Sequence, residues 1–270
     1  MNSYVWKYQL DELSRNFQVI AVDLRGHGKS EFHGSWVMET TPSVPLNKGG
    51  FKGGCPLAPC PLPLFDTFAQ DLKELTDFLN IKEFILVGWS MASFIIVRYY
   101  FNYPEDVDKL IFISGTPKFL SEAGYTHGQS KIMVKRLEQN LKRDYKNHIK
   151  EFCNKFFLSG EKIDGKRLTE IKRLMFNEDF PPQIDVTLQT LNALLKDDIR
   201  DNLKHIRVPA LIIHGSIDKI CPVGAGKYMA RYIQNSRIVI LKGIGHAPFL
   251  TQPERVNKEI KDFCHNSATN

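Results

Sequence analysis

Five short apolar runs punctuate the chain: "FQVIAVD" (17–23), "EFILVGW" (83–89), "DKLIFIS" (108–114), "VPALIIHG" (208–215) and "SRIVILKG" (236–243). Runs of this length, bounded by turn residues, read as buried strands. Amphipathic segments fall between them. Phe65, Phe68, Leu72, Leu75 and Phe78 sit at helical spacing in "FDTFAQDLKELTDFL", and helices are expected at 91–103, 223–234 and 252–264. Strands alternating with helices specify a mostly parallel sheet covered on both faces, because a parallel crossover needs a helix-sized connection. The rhythm stops between Gly115 and His205, where helices alone are expected at 128–158, 165–176 and 184–199. The chain therefore divides into a first core part (1–116), an all-helical cap (117–204) and a second core part (205–270).

Within the first part, residues 37–64 are different material. They hold six of the fourteen prolines and the spacer "GGFKGG". A stretch this long with no periodicity is uncommon in a compact domain and reads as a low-complexity insertion without regular structure.

Composition narrows the class further. No apolar stretch approaches the length of a membrane span, and "MNSYVWKYQLDELSRNF" mixes acids and bases as an amphipathic helix does, not a signal peptide. The five cysteines (Cys55, Cys60, Cys153, Cys221, Cys264) are odd in number and in no metal-ligand spacing, so free thiols, a cytoplasmic setting and no bound metal or cofactor are expected. A monomer binding neither nucleic acid nor membrane is expected. The net charge of +6 is unevenly spread. Lys131–Arg173 contains thirteen bases and six acids, an excess of seven, so the remainder is close to neutral. Such a run forms a solvated helical face or a docking surface for an acidic partner.

One strand-to-helix junction carries candidate chemistry. In "LVGWSMAS" (86–93), Ser90 follows a buried run and precedes a helix, with Gly88 two residues before it. A serine there either caps the helix or presents its hydroxyl as a nucleophile on a tight turn, next to helix N-terminal N–H groups such as that of Met91. The second reading requires a base and an orienting acid. "LIIHGSIDKICP" supplies Asp218 just beyond a strand, and "KGIGHAPFLTQPE" supplies His246 beyond the next. The order Ser, Asp, His suits a sheet of this topology. His214 is expected to pack or hydrogen-bond locally, and Asp23 and Arg25 to hold the conformation of the loop "DLRGHGKS".

"AVDLRGHGKS", "VGWSMAS", "LIIHGSIDKICP" and "GIGHAPFLTQPERV" together resemble the α/β-hydrolase fold family over nearly the whole chain outside 37–64. Within it, Trp89 before the serine, "SGTPKF", "RDYKNHIKEF", "DDIRDNLKHIRVPALIIHG" and "GHAPF" are similar to the pimeloyl-[acyl-carrier protein] methyl ester esterases of biotin synthesis. The resemblance implies a serine esterase. Ser90, Asp218 and His246 would form the triad, and Met91 N–H would serve in the oxyanion hole. Trp89, Phe152 and Phe156 would line an acyl slot. The carrier-tethered ester, or a small-molecule ester, would be the substrate. An acidic acyl-carrier protein would dock on Lys142, Arg143, Lys146, Lys150, Lys166, Arg167, Lys172 and Arg173.

Two departures from the family pattern stand out. Ala92 replaces the second glycine of G-x-S-x-G. The strand that would end in a His-Gly oxyanion loop falls upstream of "MNSYVWKYQL", so the first strands are expected to be missing. The "FQVIAVD" and "EFILVGW" strands would then either pair directly or leave backbone groups unpaired. A general short-chain esterase, thioesterase or acyltransferase, and a catalytically impaired or ligand-binding relative, are the alternatives.

Overall fold

The structure, a computed structural model, describes residues 2–30, 38–40, 63–157, 161–176 and 183–265. Its strands are β1 (Ile20–Val22), β2 (Met38–Thr40), β3 (Phe84–Trp89), β4 (Val107–Ile113), β5 (Ala210–Gly215) and β6 (Ser236–Leu241). The last four form one parallel sheet in the order β3-β4-β5-β6, with Val87 opposite Ile111, Phe112 opposite Ile212 and Ile213 opposite Val239.

Side chains along these strands alternate between two cores, as a period of two demands. Ile111, Ile113, Leu211 and Ile213 face one core, which they share with Val5, with Leu13 of α1 (Lys7–Leu13) and with Val256, Ile260 and Phe263 of α11 (Pro253–His265). Leu110, Phe112, Ala210 and Ile212 face the other. There they meet Phe65 and Phe68 of α2 (Leu64–Phe78), Phe94 and Ile95 of α3 (Ala92–Asn102), and Met229 of α9 (Val223–Tyr232). Residues of β4 and β5 are buried on both faces, which is why their sequences are near-continuous apolar runs.

β3 is different. Among the described residues it pairs with β4 on one side only, and Val87 is 36% exposed. β1 pairs antiparallel with β2, outside the main sheet. Of the two arrangements expected for these strands, the structure therefore has the one without a direct β1–β3 pairing. Both strands line the same large cavity.

Between β4 and β5 lie α4 (Lys131–Arg143), α5 (Tyr145–Asn154), α6 (Gly165–Met175), α7 (Ile184–Lys196) and the short α8 (Arg200–Leu203). The single helix expected over 128–158 is two helices. The chain breaks at Asp144, whose φ of −150° leaves the helical region and whose carboxylate accepts from Asn147 N–H to start α5. Ser130 and Asp164 cap α4 and α6 in the same way. α7 stops at Lys196 because Asp197 is extended. Within 37–64, residues 38–40 form β2 and α2 begins at Leu64, so that stretch is not wholly without regular structure; residues 41–62, with Cys55 and Cys60, lie outside the described residues. Among the described residues, no helix is long and apolar enough to cross a membrane.

Phe94 is fully buried and stacks on Phe65 at 5.2 Å between ring centroids, joining α3 to α2 beneath the sheet. Phe94→Ala should lower the unfolding free energy by roughly 3–5 kcal/mol, because the cavity it leaves is enclosed on all sides. Urea denaturation checks this.

Candidate active site

Ser90 occupies the turn between β3 and α3 with φ of 55°, a left-handed conformation that is costly for a residue with a Cβ. Neighbouring contacts hold it there. Its N–H extends the parallel ladder by donating to Ile113 C=O (2.9 Å), and its C=O accepts from the N–H (3.1 Å) and hydroxyl (2.7 Å) of Ser93. A Cβ on Gly88 would come within 3.0 Å of both Ala92 C=O and Ile96 Cδ1, so glycine is what allows strand and helix to meet this closely. Position 92 tolerates alanine, the first residue of α3. The Met91 N–H at the start of α3 has no acceptor among the described residues.

The loops after β5 and β6 bring the other two groups to this turn. His246 Nε2 lies 2.9 Å from Ser90 Oγ, and Nδ1 lies 2.8 Å from Asp218 Oδ2. The histidine is 1% exposed. Asp218 Oδ1 accepts from the N–H groups of Ile220 (2.8 Å) and Cys221 (2.9 Å), which fixes the carboxylate plane. Burial alone would push the Asp218 carboxyl up, but the two histidines beside it outweigh burial and hold it well below the usual carboxylate range. It is therefore an anion aimed at the imidazole. The resulting chain of hydroxyl, imidazole and carboxylate can pass a proton from Ser90 to His246 while Asp218 stabilises the imidazolium.

The second histidine is His214, at the end of β5. Its Nε2 donates to Cys221 C=O (2.7 Å) and lies 3.5 Å from Asp218 Oδ2, so it braces the loop that carries the acid. This agrees with the local hydrogen-bonding expected for it. The Cys221 thiol is in hydrogen-bonding reach of the Ser90 side chain, and burial, then the Asp218 charge, push it well above its ordinary value. It stays a neutral thiol and is no rival nucleophile.

Asp23 accepts from the N–H groups of Ser3 and Lys29, and Arg25 forms a pair of hydrogen bonds with the buried Asp71. Both residues thus hold the loop after β1, as the sequence predicts.

A cavity of about 780 Å³ opens over Ser90 and His246. Trp89, Phe152 and Phe156 line it. Phe156 packs on the His246 ring at 5.0 Å and on Trp89 at 5.5 Å. Trp89 has a structural task as well, because its indole N–H donates to His246 C=O (2.9 Å). Of the eight basic residues expected to form a docking surface, Lys142, Arg143, Lys146, Lys150, Lys166, Lys172 and Arg173 are exposed. Arg167 is only half exposed: it grips Glu254 of α11 with both terminal nitrogens (2.6 and 3.1 Å) and lies over the Tyr8 ring, so it ties α6 to the sheet domain. Lys142 pairs with Glu138, and Arg143 with His148.

Sequence reasoning missed Glu161, whose carboxylate accepts from Gly245 N–H, and the Phe156 C=O that accepts from His246 N–H (3.1 Å). Neither has a local pattern. The signal available was Gly245 itself, where a Cβ would fall on Glu161 and Phe156.

Parallel strands whose following loops converge on a serine turn define an α/β hydrolase architecture. Residues 1–253 match the alpha/beta hydrolase fold family, and the chain belongs to it. It is 30% identical over 268 residues to the AB hydrolase superfamily protein YisY of Bacillus subtilis, covering 98% of this chain and 88% of that protein. It is 27% identical over 264 residues to the pimeloyl-[acyl-carrier protein] methyl ester esterase of Nitrosospira multiformis, covering 98% and 90%. Among solved structures, an esterase from Exiguobacterium antarcticum superposes with a TM-score of 0.79 at 28% identity, over 97% of this chain and 87% of that one.

The histidine loop and the end of β5 touch backbone to backbone: a Cβ on Gly215 would fall on the carbonyl oxygens of Ile244 and Gly245. Gly215→Ala should therefore cost about 1–3 kcal/mol and lengthen the Ser90–His246 hydrogen bond. Denaturation and a crystal structure of the variant check the two effects.

Proposed function

We propose that the chain is a carboxylic ester hydrolase working through an acyl-enzyme on Ser90. The observation that carries this reading is the hydrogen-bonded series Ser90–His246–Asp218 at the floor of the aromatic-walled cavity. Ser90 Oγ attacks the ester carbonyl as His246 Nε2 takes its proton. The carbonyl oxygen becomes an oxyanion beside the Met91 N–H, at the positive end of α3. Collapse of the tetrahedral adduct breaks the C–O bond, and His246 returns the proton to the departing alkoxide, which leaves as an alcohol. A water then loses a proton to His246, adds to the acyl carbon and releases the acid, and Ser90 regains its proton. Asp218 stays ionised throughout and orients the imidazole.

We infer further that the substrate is the methyl ester of a pimeloyl chain tethered to acyl-carrier protein. Several relatives of similar length bear that name, with 26–29% identity in the examples from Vibrio vulnificus and Wigglesworthia glossinidia. The apolar cavity suits an extended acyl chain, and the exposed bases of α4, α5 and α6 suit an acidic carrier. The same cavity would equally admit a free short-chain ester, so a general esterase is the second reading.

Ser90→Ala should lower kcat for a p-nitrophenyl ester by about 10⁴-fold or more while leaving the unfolding transition in place. Turnover unchanged in that variant would sink the acyl-enzyme. Carrier docking has a separate check. Raising salt from roughly 50 to 500 mM should raise KM for the carrier-bound ester severalfold and leave KM for a small free ester nearly constant, because screening acts on long-range charge attraction. Equal salt responses would favour the general esterase.

A further inference from the structure

Two hydrogen bonds to backbone N–H groups join the helical segment to the histidine loop. Phe156 C=O, just after α5, accepts from His246 N–H (3.1 Å), and Glu161 Oε1 accepts from Gly245 N–H. Consecutive N–H groups of the loop that presents the imidazole are thus held by residues outside the sheet domain. The approach is close enough that only glycine fits at 245, since a Cβ there would lie 2.6 Å from Phe156 C=O and also meet Glu161 Oε1.

Glu161 is an unusual group to find in such a place. Its second oxygen, Oε2, is buried with no hydrogen-bond partner among the described residues. It sits near Asp218 from the loop after β5, with His246 following Gly245 in the loop after β6. His214 lies behind Asp218. On its own segment, Lys162 is exposed and the exposed Asp164 accepts from Arg167 N–H at the start of α6. Burial raises its carboxyl, the Gly245 N–H lowers it and the Asp218 charge raises it, for a net value of about 7. A carboxylate with two good partners would ionise without difficulty; among the described residues this one has a single N–H and a neighbouring anion. Glu161 is not part of the cavity wall, so a role in holding substrate does not account for it.

We propose that Glu161 is a positioning residue that clamps the His246 loop from the helical segment, holding Gly245 N–H while Phe156 C=O holds His246 N–H. The ionised form makes a charge-assisted hydrogen bond to Gly245 N–H and holds the loop that presents the imidazole. The protonated form keeps a weaker bond and loses the charge. The inference rests on the proposed role of His246 as the base.

Glu161→Gln retains an acceptor of the same shape and removes the charge; Glu161→Ala removes both. For a small p-nitrophenyl ester, E161Q should lower kcat roughly tenfold near pH 8 and less than about twofold near pH 6, with KM unchanged. E161A should lower kcat at both pH values. The Gly245 amide N–H resonance gives a readout independent of turnover: its shift should respond to pH through the ionisation of Glu161 in the wild type, and that response should be absent in E161Q. A wild-type kcat–pH profile in E161Q together with an unchanged pH response of the Gly245 N–H would overturn the clamp. If Ser90→Ala hydrolysed ester at the wild-type rate while the Gly245 N–H response to pH persisted and was lost in E161Q, the catalytic reading would fall and the Glu161 clamp would stand.

Discussion

The site depends on a single backbone constraint, the left-handed serine at the end of β3. A φ of 55° costs a non-glycine residue roughly 1–3 kcal/mol unless its surroundings impose it. Here the N–H of Ser90 continues the β3–β4 ladder to Ile113, and its C=O takes two hydrogen bonds from Ser93 in α3. The strand cannot slip without losing the first, and the helix cannot retreat without losing the second. Gly88 lets the two elements close, and Ser90 is left with its hydroxyl outside the crowded turn and facing the cavity.

The parallel sheet extends that constraint to the other groups. Strands running the same way place all their following loops at one end, so the loop after β5 and the loop after β6 arrive beside the turn after β3. Gly215 allows the last two to touch backbone to backbone. His214 and Trp89 then act as braces. One holds the acid loop through Cys221 C=O, and the other holds the histidine through its own C=O. The donors and acceptors that fix the imidazole thus come from β3, β5 and the helical segment together, and the apolar cores on both faces of the sheet hold those elements in register.

Much of this is readable in the chain. β4 and β5 declare themselves as unbroken apolar runs because both of their faces are covered, and Ser90, Asp218 and His246 could each be placed just beyond a strand end by glycine-marked turns. Legibility fails where local signals compete. The long helix expected over 128–158 breaks at Asp144, whose side chain offers the backbone an alternative partner. Arg167 counted as one more surface base, yet it is engaged with Glu254, a residue 87 positions away. Trp89 could be assigned to a cavity wall, but its hydrogen bond to His246 C=O spans 157 positions and leaves no trace in any window.

The sequence by itself determined the alternation of strand and helix, the order of the three polar groups and the place of each beyond a strand, because hydrophobic period and turn chemistry are local properties. Only the tertiary structure decided that those groups meet within 2.9 Å, that β1 stays outside the main sheet, and that Glu161 reaches the histidine loop. Those outcomes depend on how separate elements pack around a shared core, and a contact between distant segments is set by the geometry of everything between them.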